Sequence, residues 1–226
     1  MLSTLRKIGE DHTTCEDSMF VHETNDYVMG VVADGCSSGV NSEFASGLIC
    51  KLIKHYIMGS INRGLIPEVT FDVLIKTNRY VKLTMMNLGM DSIEMLTTML
   101  FFKYDKSTKD LTIQVLGDGV LKLNDTLEIL NQSDNKVDYF IEADSFREHL
   151  NKYPIRIYKG IESFIISTDG PLSYKKSELY ESNMTTDILF SKPTNTTYLQ
   201  RMHNILSRNH WYHTDDVTMI SYDSSK

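Results

Sequence analysis

The sequence has few of the residues that mark secreted, zinc-binding or membrane proteins. Three cysteines occur in 226 residues, and no two of them form a CxxC pair, so neither a disulfide framework nor a zinc site is predicted. No run of about 18 apolar residues is present, and no basic start leads into an apolar stretch, so we expect neither a membrane span nor a signal peptide. These features predict a cytoplasmic protein without membrane contact.

Basic charge and proline are also scarce. Lys and Arg number 23 against 30 Asp and Glu, and the formal net charge of -7 argues against a nucleic-acid partner, which a basic face would attract. Four prolines, no repeat and no low-complexity tract leave no clear linker. A chain of this length can bury a sizeable core, so we expect a single domain over residues 1–226.

Hydrophobic periodicity predicts a mixture of strands and helices. Strands are expected at Ser18–His22, Tyr27–Ala33, 95–104, 111–119, 120–130, 163–170 and 216–223. Amphipathic helices are expected at 41–58, with Asn41 or Ser42 as N-cap, at Glu68–Leu88 and at 193–208. This order favours an α+β fold in which helices cover sheets. The least regular segment, Gln132–Pro154, is predicted to be a surface excursion.

Acidic residues recur at the ends of the predicted strands. Asp34 follows the apolar run of "VVADG", Asp169 follows that of "FIISTDG", and Asp118 lies between two glycines in "VLGDGVL". Two acidic pairs, Glu16-Asp17 and Asp215-Asp216, come immediately before strands.

Each acidic residue alone has an ordinary explanation as a turn residue or a solvated cap. If they converge at one end of a sheet, however, their mutual repulsion requires cations. Carboxylate and carbonyl oxygens are what Mg²⁺ and Mn²⁺ prefer, and a glycine after the aspartate lets its carbonyl approach an ion.

The order of these motifs resembles a known family, the metal-dependent serine/threonine phosphatases of the PPM type, also called protein phosphatase 2C. The likeness is greatest to its compact microbial and phage branch, and it spans nearly the whole chain. The matching motifs are Glu16-Asp17-Ser18, Val32-Ala33-Asp34-Gly35, Gly117-Asp118-Gly119, Ser167-Thr168-Asp169-Gly170 and Asp215-Asp216-Val217-Thr218.

The resemblance implies a fold and an activity. The fold is a four-layer α-β-β-α sandwich, in which two antiparallel sheets are flanked by helix pairs. The activity is hydrolysis of phosphoserine and phosphothreonine in proteins, by in-line attack of a water that bridges two Mn²⁺ or Mg²⁺ ions. The partner is a phosphorylated protein substrate, and we expect the enzyme to be a monomer.

The resemblance also implies a role for each acidic residue. Asp34 would bridge the two metal ions, Asp169 and Asp215 would complete the shell of the first ion, and the Gly35 carbonyl would bind the second. Asp118 matches an acidic residue that, in many bacterial members, recruits a third ion together with Asp169.

Three further residues have roles around the ligands. Asp17 would hold metal-bound water, and Glu16 would assist from outside the ligand set. Family members commonly carry a phosphate-gripping arginine five residues before Asp17, where this chain has His12. His12 either contacts the phosphate, with one hydrogen bond where arginine offers two, or is an exposed loop residue.

Two departures leave alternatives open. The absence of the arginine allows a catalytically inactive phosphatase fold that serves as a binding or scaffold module. The interval from Asp118 to Asp169 is short for the family, so Gln132–Pro154 is predicted to be a reduced flap. Since such flaps often select the substrate, hydrolysis of a small phosphorylated metabolite is a third candidate function.

Overall fold

Two five-stranded antiparallel sheets form the centre of the protein, which the computed structural model describes over residues 1–130, 139–140, 146–176, 187–191 and 195–225. Sheet I has the strand order β2 (Ser18–Glu23), β3 (Tyr27–Ala33), β4 (Met99–Asp105), β5 (Asp110–Leu116) and β8 (Arg156–Tyr158). Sheet II has the order β1 (Leu2–Lys7), β12 (Val217–Asp223), β9 (Ser163–Ser167), β6 (Gly119–Leu123) and β7 (Thr126–Leu130). A separate ribbon pairs β10 (Tyr174–Lys176) with β11 (Trp211–His213).

Helices cover the outer face of each sheet. Among the described residues, the helices of seven residues or more are α1 (Ser42–Asn62), α2 (Phe71–Asn87), α3 (Phe146–Lys152) and α4 (Tyr198–Arg208). The first three share a hydrophobic core with sheet I, and α4 shares another with sheet II, beside residues 187–190. A third core lies between the two sheets. This arrangement confirms the predicted α+β sandwich of helix, sheet, sheet and helix layers.

The strand β3 shows why the sequence pattern predicts a layered fold. All seven of its residues are buried, although only alternate side chains share a face. Met29 and Val31 pack against the helices, while Val28 and Val32 pack between the sheets. A strand covered on both faces reads as a continuous apolar run, which is what the sequence shows.

The predicted helices are present, but their details differ. The fully buried stripe of α1 runs through Ala45, Ile49, Ile53 and Ile57, whereas Phe44 is half-exposed. Asn41 is the N-cap residue of α1, as one of the two predictions has it, although its side chain makes no capping hydrogen bond.

The helix α2 starts three residues later than predicted. The hydroxyl of Thr70 accepts a hydrogen bond of 3.4 Å from the backbone amide of Val73, and this cap fixes the first turn at Phe71. The predicted helix 193–208 likewise starts later, at Tyr198.

Several strand boundaries also differ from the prediction. The strand expected at 95–104 begins at Met99, because Ser92–Met95 form a 3₁₀ turn that a capping box of Asp91 and Glu94 closes. The strands β1, β8, β10 and β11 and the helix α3 were not predicted. All five elements are only three to seven residues long, which gives too few periods to recognise.

The predicted reduced flap at Gln132–Pro154 lies partly outside the described residues, which omit 131–138 and 141–145. Where it is described, the segment packs against α2. Phe140 and Leu150 are fully buried in the core beneath α2, and the amide of Asn78 donates a hydrogen bond of 2.6 Å to the Phe140 carbonyl. Among the described residues, no helix is both long enough and apolar enough to cross a membrane.

Candidate active site

The register of sheet I brings two of the predicted acidic residues together. Ser18, the first residue of β2, pairs with Ala33, the last residue of β3. Asp17 and Asp34 therefore leave the same end of the sheet. The carbonyl oxygen of Asp34 accepts a hydrogen bond of 2.8 Å from the amide of Thr98, which fixes the chain as it leaves β3.

The register of sheet II gathers three more acidic residues. Ser167, at the end of β9, pairs with Val120 in β6 on one side and with Met219 in β12 on the other. The chain segments that leave or enter these three strands at this end carry Asp118, Asp169 and Asp215. Antiparallel pairing thus places acidic residues far apart in the sequence at one end of the sandwich.

A cavity of about 150 Å³ lies at this end of the two sheets. Its lining residues are Asp34, Gly35, Cys36, Ser37, Thr98, Asp118, Tyr139, Asp169 and Asp215. Five of the predicted site residues therefore share one cavity, whereas Asp17, Glu16 and His12 lie outside its lining. A larger groove of about 620 Å³ between α1 and α2 contains none of the predicted residues.

Burial and mutual repulsion shift the pKa values of these carboxyl groups upward. Burial, followed by the charges of Asp118 and Asp215, raises the pKa of Asp169 to about 7. Burial, followed by the charges of Asp17 and Asp169, raises the pKa of Asp34 well above its usual range. The pKa values of Asp118 and Asp215 are also raised, in each case chiefly by burial. The ionised cluster is therefore unfavourable without a compensating positive charge.

Asp17 is fully buried beside Asp34, whose pKa is raised by burial and by the charge of Asp17. Its Oδ2 accepts a hydrogen bond of 2.9 Å from Oγ1 of Thr168, the residue before Asp169. Its Oδ1 accepts no aligned hydrogen bond from an amide or hydroxyl within the described part of the chain, its carboxyl group lies against that of Asp34, and burial raises its pKa to about 8. A buried carboxylate oxygen without a donor is uncommon and indicates a site for a cation or an ordered water.

Glycine at position 35 is required by the close approach of the main chain. A Cβ at this position would lie 2.5 Å from the carbonyl oxygen of Ser42, in the first turn of α1. The amide of Gly35 also donates a hydrogen bond of 3.2 Å to the carbonyl of Glu16. The backbone that follows Asp34 is thus held between the start of α1 and the segment before β2.

Comparisons with known proteins agree with this geometry. The sequence profile of the family described as protein phosphatase 2C matches residues 8–216, which include every predicted site residue. The chain belongs to the protein phosphatase 2C family. A comparison with curated protein sequences found no match.

Solved structures of bacterial proteins have the same fold. RsbX, solved in complex with magnesium, is 18% identical, with a TM-score of 0.62 over 96% of this chain and 92% of RsbX. A variant of a bacterial serine phosphatase is 16% identical, with a TM-score of 0.69 over 99% of this chain and 97% of that one. PppA of Pseudomonas aeruginosa is 15% identical, with a TM-score of 0.63 over 98% and 96% of the two chains. At these identities the similarity establishes the fold.

Asp216 is a buried residue of this phosphatase fold for which the sequence pattern predicts no role. It is 1% exposed, and its Oδ1 accepts a hydrogen bond of 2.7 Å from the amide of Gly9. Its Oδ2 accepts another from the amide of Glu16. The carboxylate thus joins the segment between β1 and β2 to the start of β12. The Asp-Asp pair in the sequence is the signal that could have suggested two different tasks for these neighbours.

His12 contacts the acidic pair from outside the cavity. Its Nδ1 lies 3.1 Å from Oδ2 of Asp216, at ion-pair distance but not aligned for a hydrogen bond, and its Nε2 lies 3.6 Å from Oδ1 of Asp215. Burial lowers the imidazole pKa, but the carboxylates of Asp216, Asp215 and Glu16 outweigh it, so the pKa is raised. His12 therefore contacts the side chains of Asp215 and Asp216 and does not line the cavity.

The donor set fits a hard divalent cation. The acidic side chains and the main chain at Gly35 offer oxygen atoms only, and Asp17 and Glu16 each keep a buried oxygen without an aligned partner. In the parts of the chain that the structure describes, no three acidic, histidine or cysteine side chains already form a chelating group. The carboxylates would therefore converge on an ion by side-chain rotation, with water completing its shell.

Proposed function

We propose that the protein is a Mn²⁺- or Mg²⁺-dependent phosphatase that hydrolyses phosphoserine and phosphothreonine in proteins. The observation that carries this proposal is the convergence of Asp34, Asp118, Asp169 and Asp215 on one cavity, with pKa values raised by burial and, for Asp34 and Asp169, by repulsion among the carboxylates. Membership of the protein phosphatase 2C family supports it. When bound, the ions would lower the pKa of an attacking water and neutralise charge on the phosphoryl group.

Each acidic residue has a role in this proposal. Asp34, Asp169, Asp215 and the carbonyl of Gly35 would hold two ions. Asp118 and Asp169 would hold a third. The positions of these five residues around one cavity support the assignment.

Asp17 does not line the cavity, and its role in this proposal is to hold a water bound to the ions. Its buried Oδ1, which accepts no aligned amide or hydroxyl hydrogen bond within the described residues, would accept a hydrogen bond from a water held by the ions. Thr168 orients it through the bond to Oδ2. Glu16 contributes mainly through its backbone, whose carbonyl holds Gly35 and whose amide binds Asp216.

For His12, the contacts support a positioning role. The imidazole approaches Asp215 and Asp216 and does not line the cavity in which a phosphate would bind. It therefore stabilises and orients the ionised form of Asp215. A direct phosphate contact, the other role that the sequence suggests, would require the ring to leave these carboxylates.

The inactive scaffold is the less supported alternative. A protein that serves only as a binding module has no reason to keep repelling carboxylates around a cavity, since each destabilises the metal-free fold. We further propose that residues 1–226 form one catalytic domain, which acts as a monomer in the cytoplasm. The core shared by the two sheets supports the single domain.

Hydrolysis of phosphopeptides tests the proposal directly. Purified protein should release phosphate from phosphoserine and phosphothreonine peptides with Mn²⁺ or Mg²⁺ and should stop when the ions are chelated. Asp34→Asn should be inactive but folded. Turnover that survives exhaustive chelation, or full activity in Asp34→Asn, would refute metal-dependent hydrolysis at this site.

The same assay separates the remaining alternatives. Faster hydrolysis of small phosphorylated metabolites than of any phosphopeptide would favour the metabolite phosphatase. A folded protein that binds Mn²⁺ but hydrolyses no phosphoester would favour the scaffold.

A further inference from the structure

A phosphate ester bound in the cavity would need hydrogen-bond donors, and the cavity lining offers few cationic side chains to supply them. Among the described residues that line it, none is lysine, arginine or histidine. A phosphate monoester brings two negative charges and several acceptor oxygens that need oriented donors as well as charge. Among the described lining residues, the side chains that can donate a hydrogen bond are Cys36, Ser37, Thr98 and Tyr139.

These four donors are not equivalent. The hydroxyl of Thr98 is buried on a short side chain, and Ser37 belongs to an exposed turn. The thiol of Cys36 is a weak donor. Tyr139 is half-buried and donates a hydrogen bond of 3.2 Å to Sγ of Cys36, next to Gly35. It alone combines a strong donor with a long side chain that reaches the cavity.

The backbone at Tyr139 is fixed by the next residue. The amide of Phe140 donates a hydrogen bond of 2.8 Å to the carbonyl of Thr97, and its carbonyl accepts one of 2.6 Å from Asn78. Its ring is fully buried and packs edge-to-face on Phe146, with centroids 4.9 Å apart. The hydroxyl of Tyr139 is thus presented to the cavity from an anchored position.

We propose that Tyr139 is a substrate-contacting residue whose hydroxyl donates a hydrogen bond to a non-bridging oxygen of the substrate phosphate. The inference rests on the proposed phosphatase function and adds a residue to it. A thiol sulfur is a weak acceptor, whereas a phosphate oxygen is charged, so the hydroxyl gains a stronger bond when it leaves Cys36. A tyrosine hydroxyl carries its proton at neutral pH, and burial, with smaller effects from Cys36, Asp118 and Asp34, raises its pKa further.

The variant Tyr139→Phe tests this proposal, because it removes the hydroxyl and keeps the ring. Loss of one hydrogen bond to a charged oxygen should raise the Michaelis constant for a phosphopeptide about 10-fold and change kcat little. Calorimetric titration of inorganic phosphate into the Mg²⁺-loaded protein should show a similar loss of affinity. The concentration of Mg²⁺ that gives half-maximal activity should stay as in the wild type.

Two further variants control the interpretation. Tyr80→Phe removes a hydroxyl from an exposed residue of α2 and should match the wild type in both measurements. Cys36→Ala removes the sulfur that competes for the hydroxyl, so the Michaelis constant should lie at or below the wild-type value. If Cys36→Ala instead raises it as Tyr139→Phe does, the hydroxyl acts by bracing Cys36, and the proposal is wrong.

The outcomes keep this inference separate from the proposed function. Wild-type hydrolysis with an unchanged Michaelis constant and unchanged phosphate affinity in Tyr139→Phe would overturn the inference and leave the phosphatase function standing. If the wild type hydrolyses nothing, the proposed function fails, and the phosphate titration still decides whether Tyr139 contributes. Wild-type protein that binds no phosphate would overturn the inference as well.

Discussion

Gly170 and Asp216 approach each other so closely that a side chain at position 170 has no room. A Cβ on Gly170 would lie 1.7 Å from the carbonyl oxygen of Asp216 and 3.2 Å from Cα of Val217. Because these neighbours are backbone atoms, rotation of a side chain cannot relieve the clash. The glycine after Asp169 therefore allows the ends of β9 and β12 to meet beneath the cavity.

We expect Gly170→Ala to be strongly destabilising. The backbone would have to separate where the two acidic segments meet, and the free energy of unfolding should fall by about 3 kcal/mol or more. The matched control is Gly59→Ala in α1, whose Cβ would meet no atom within 4 Å. That variant should be about 0.5–1 kcal/mol more stable, since alanine favours the helix. Urea unfolding of both proteins checks the prediction, which fails if Gly170→Ala is as stable as the wild type.

Substitution of the neighbours Asp215 and Asp216 should affect different properties, hydrolysis for Asp215 and stability for Asp216. Asp216→Ala leaves the amides of Gly9 and Glu16 without their acceptor in a buried place, which should lower the free energy of unfolding by about 2–4 kcal/mol. Asp215→Asn should abolish hydrolysis but keep the stability, since this side chain is 38% exposed. Denaturation curves and activity assays distinguish the two effects. Equal stability of the two variants would contradict the separate roles.

The sequence predicts the acidic cluster well because its signal is local. Asp34 and Asp169 each follow an apolar strand and precede a glycine, and antiparallel pairing then brings such ends together. The local sequence around Asp216, in contrast, does not predict its contribution to the fold. Its task depends on the amide of Gly9, which is 207 residues away in the sequence.

Tyr139 shows the same limit. Nothing in its sequence surroundings marks it, because its position depends on Phe140 inserting beneath α2. The strand β1 was also missed, since its burial depends on pairing with β12 at the other end of the chain. Sequence periodicity shows which face of an element is buried but not which distant segment covers it.

The metal-free protein should lose stability as the pH rises. Asp169 has a pKa of about 7 in the folded state, whereas an unfolded aspartate titrates near pH ~3.9. Between these values the folded state holds a proton that the unfolded state has released, so the free energy of unfolding falls with increasing pH. The slope should be about 1.4 kcal/mol per pH unit for this group, and the loss should be complete above pH ~7.

Urea unfolding of chelator-treated protein from about pH 4 to about pH 8, which covers the interval between the two pKa values, measures the slope. Asp169→Asn should reduce the slope but not abolish it, because the amide does not titrate while the raised pKa values of Asp17 and Asp34 remain. Addition of Mn²⁺ near neutral pH should restore the stability, since an ion binds the charged carboxylates of the folded state. A stability that rises with pH in the metal-free wild type would show that these carboxyl groups are not protonated in the fold.

The last prediction concerns His12, for which the contacts and the sequence pattern suggest different roles. If the imidazole orients Asp215, His12→Ala should raise the Mn²⁺ concentration needed for half-maximal activity about 10-fold, as the loss of a residue that supports a metal ligand does. The Michaelis constant for a phosphopeptide at saturating Mn²⁺ should then change less than about 2-fold, because no phosphate contact is lost. If His12 contacts the phosphate instead, the Michaelis constant should rise and the Mn²⁺ requirement should stay the same. The variant His12→Arg sharpens the contrast, since a guanidinium that reaches the phosphate would lower the Michaelis constant, whereas one that remains against Asp215 and Asp216 would leave it unchanged.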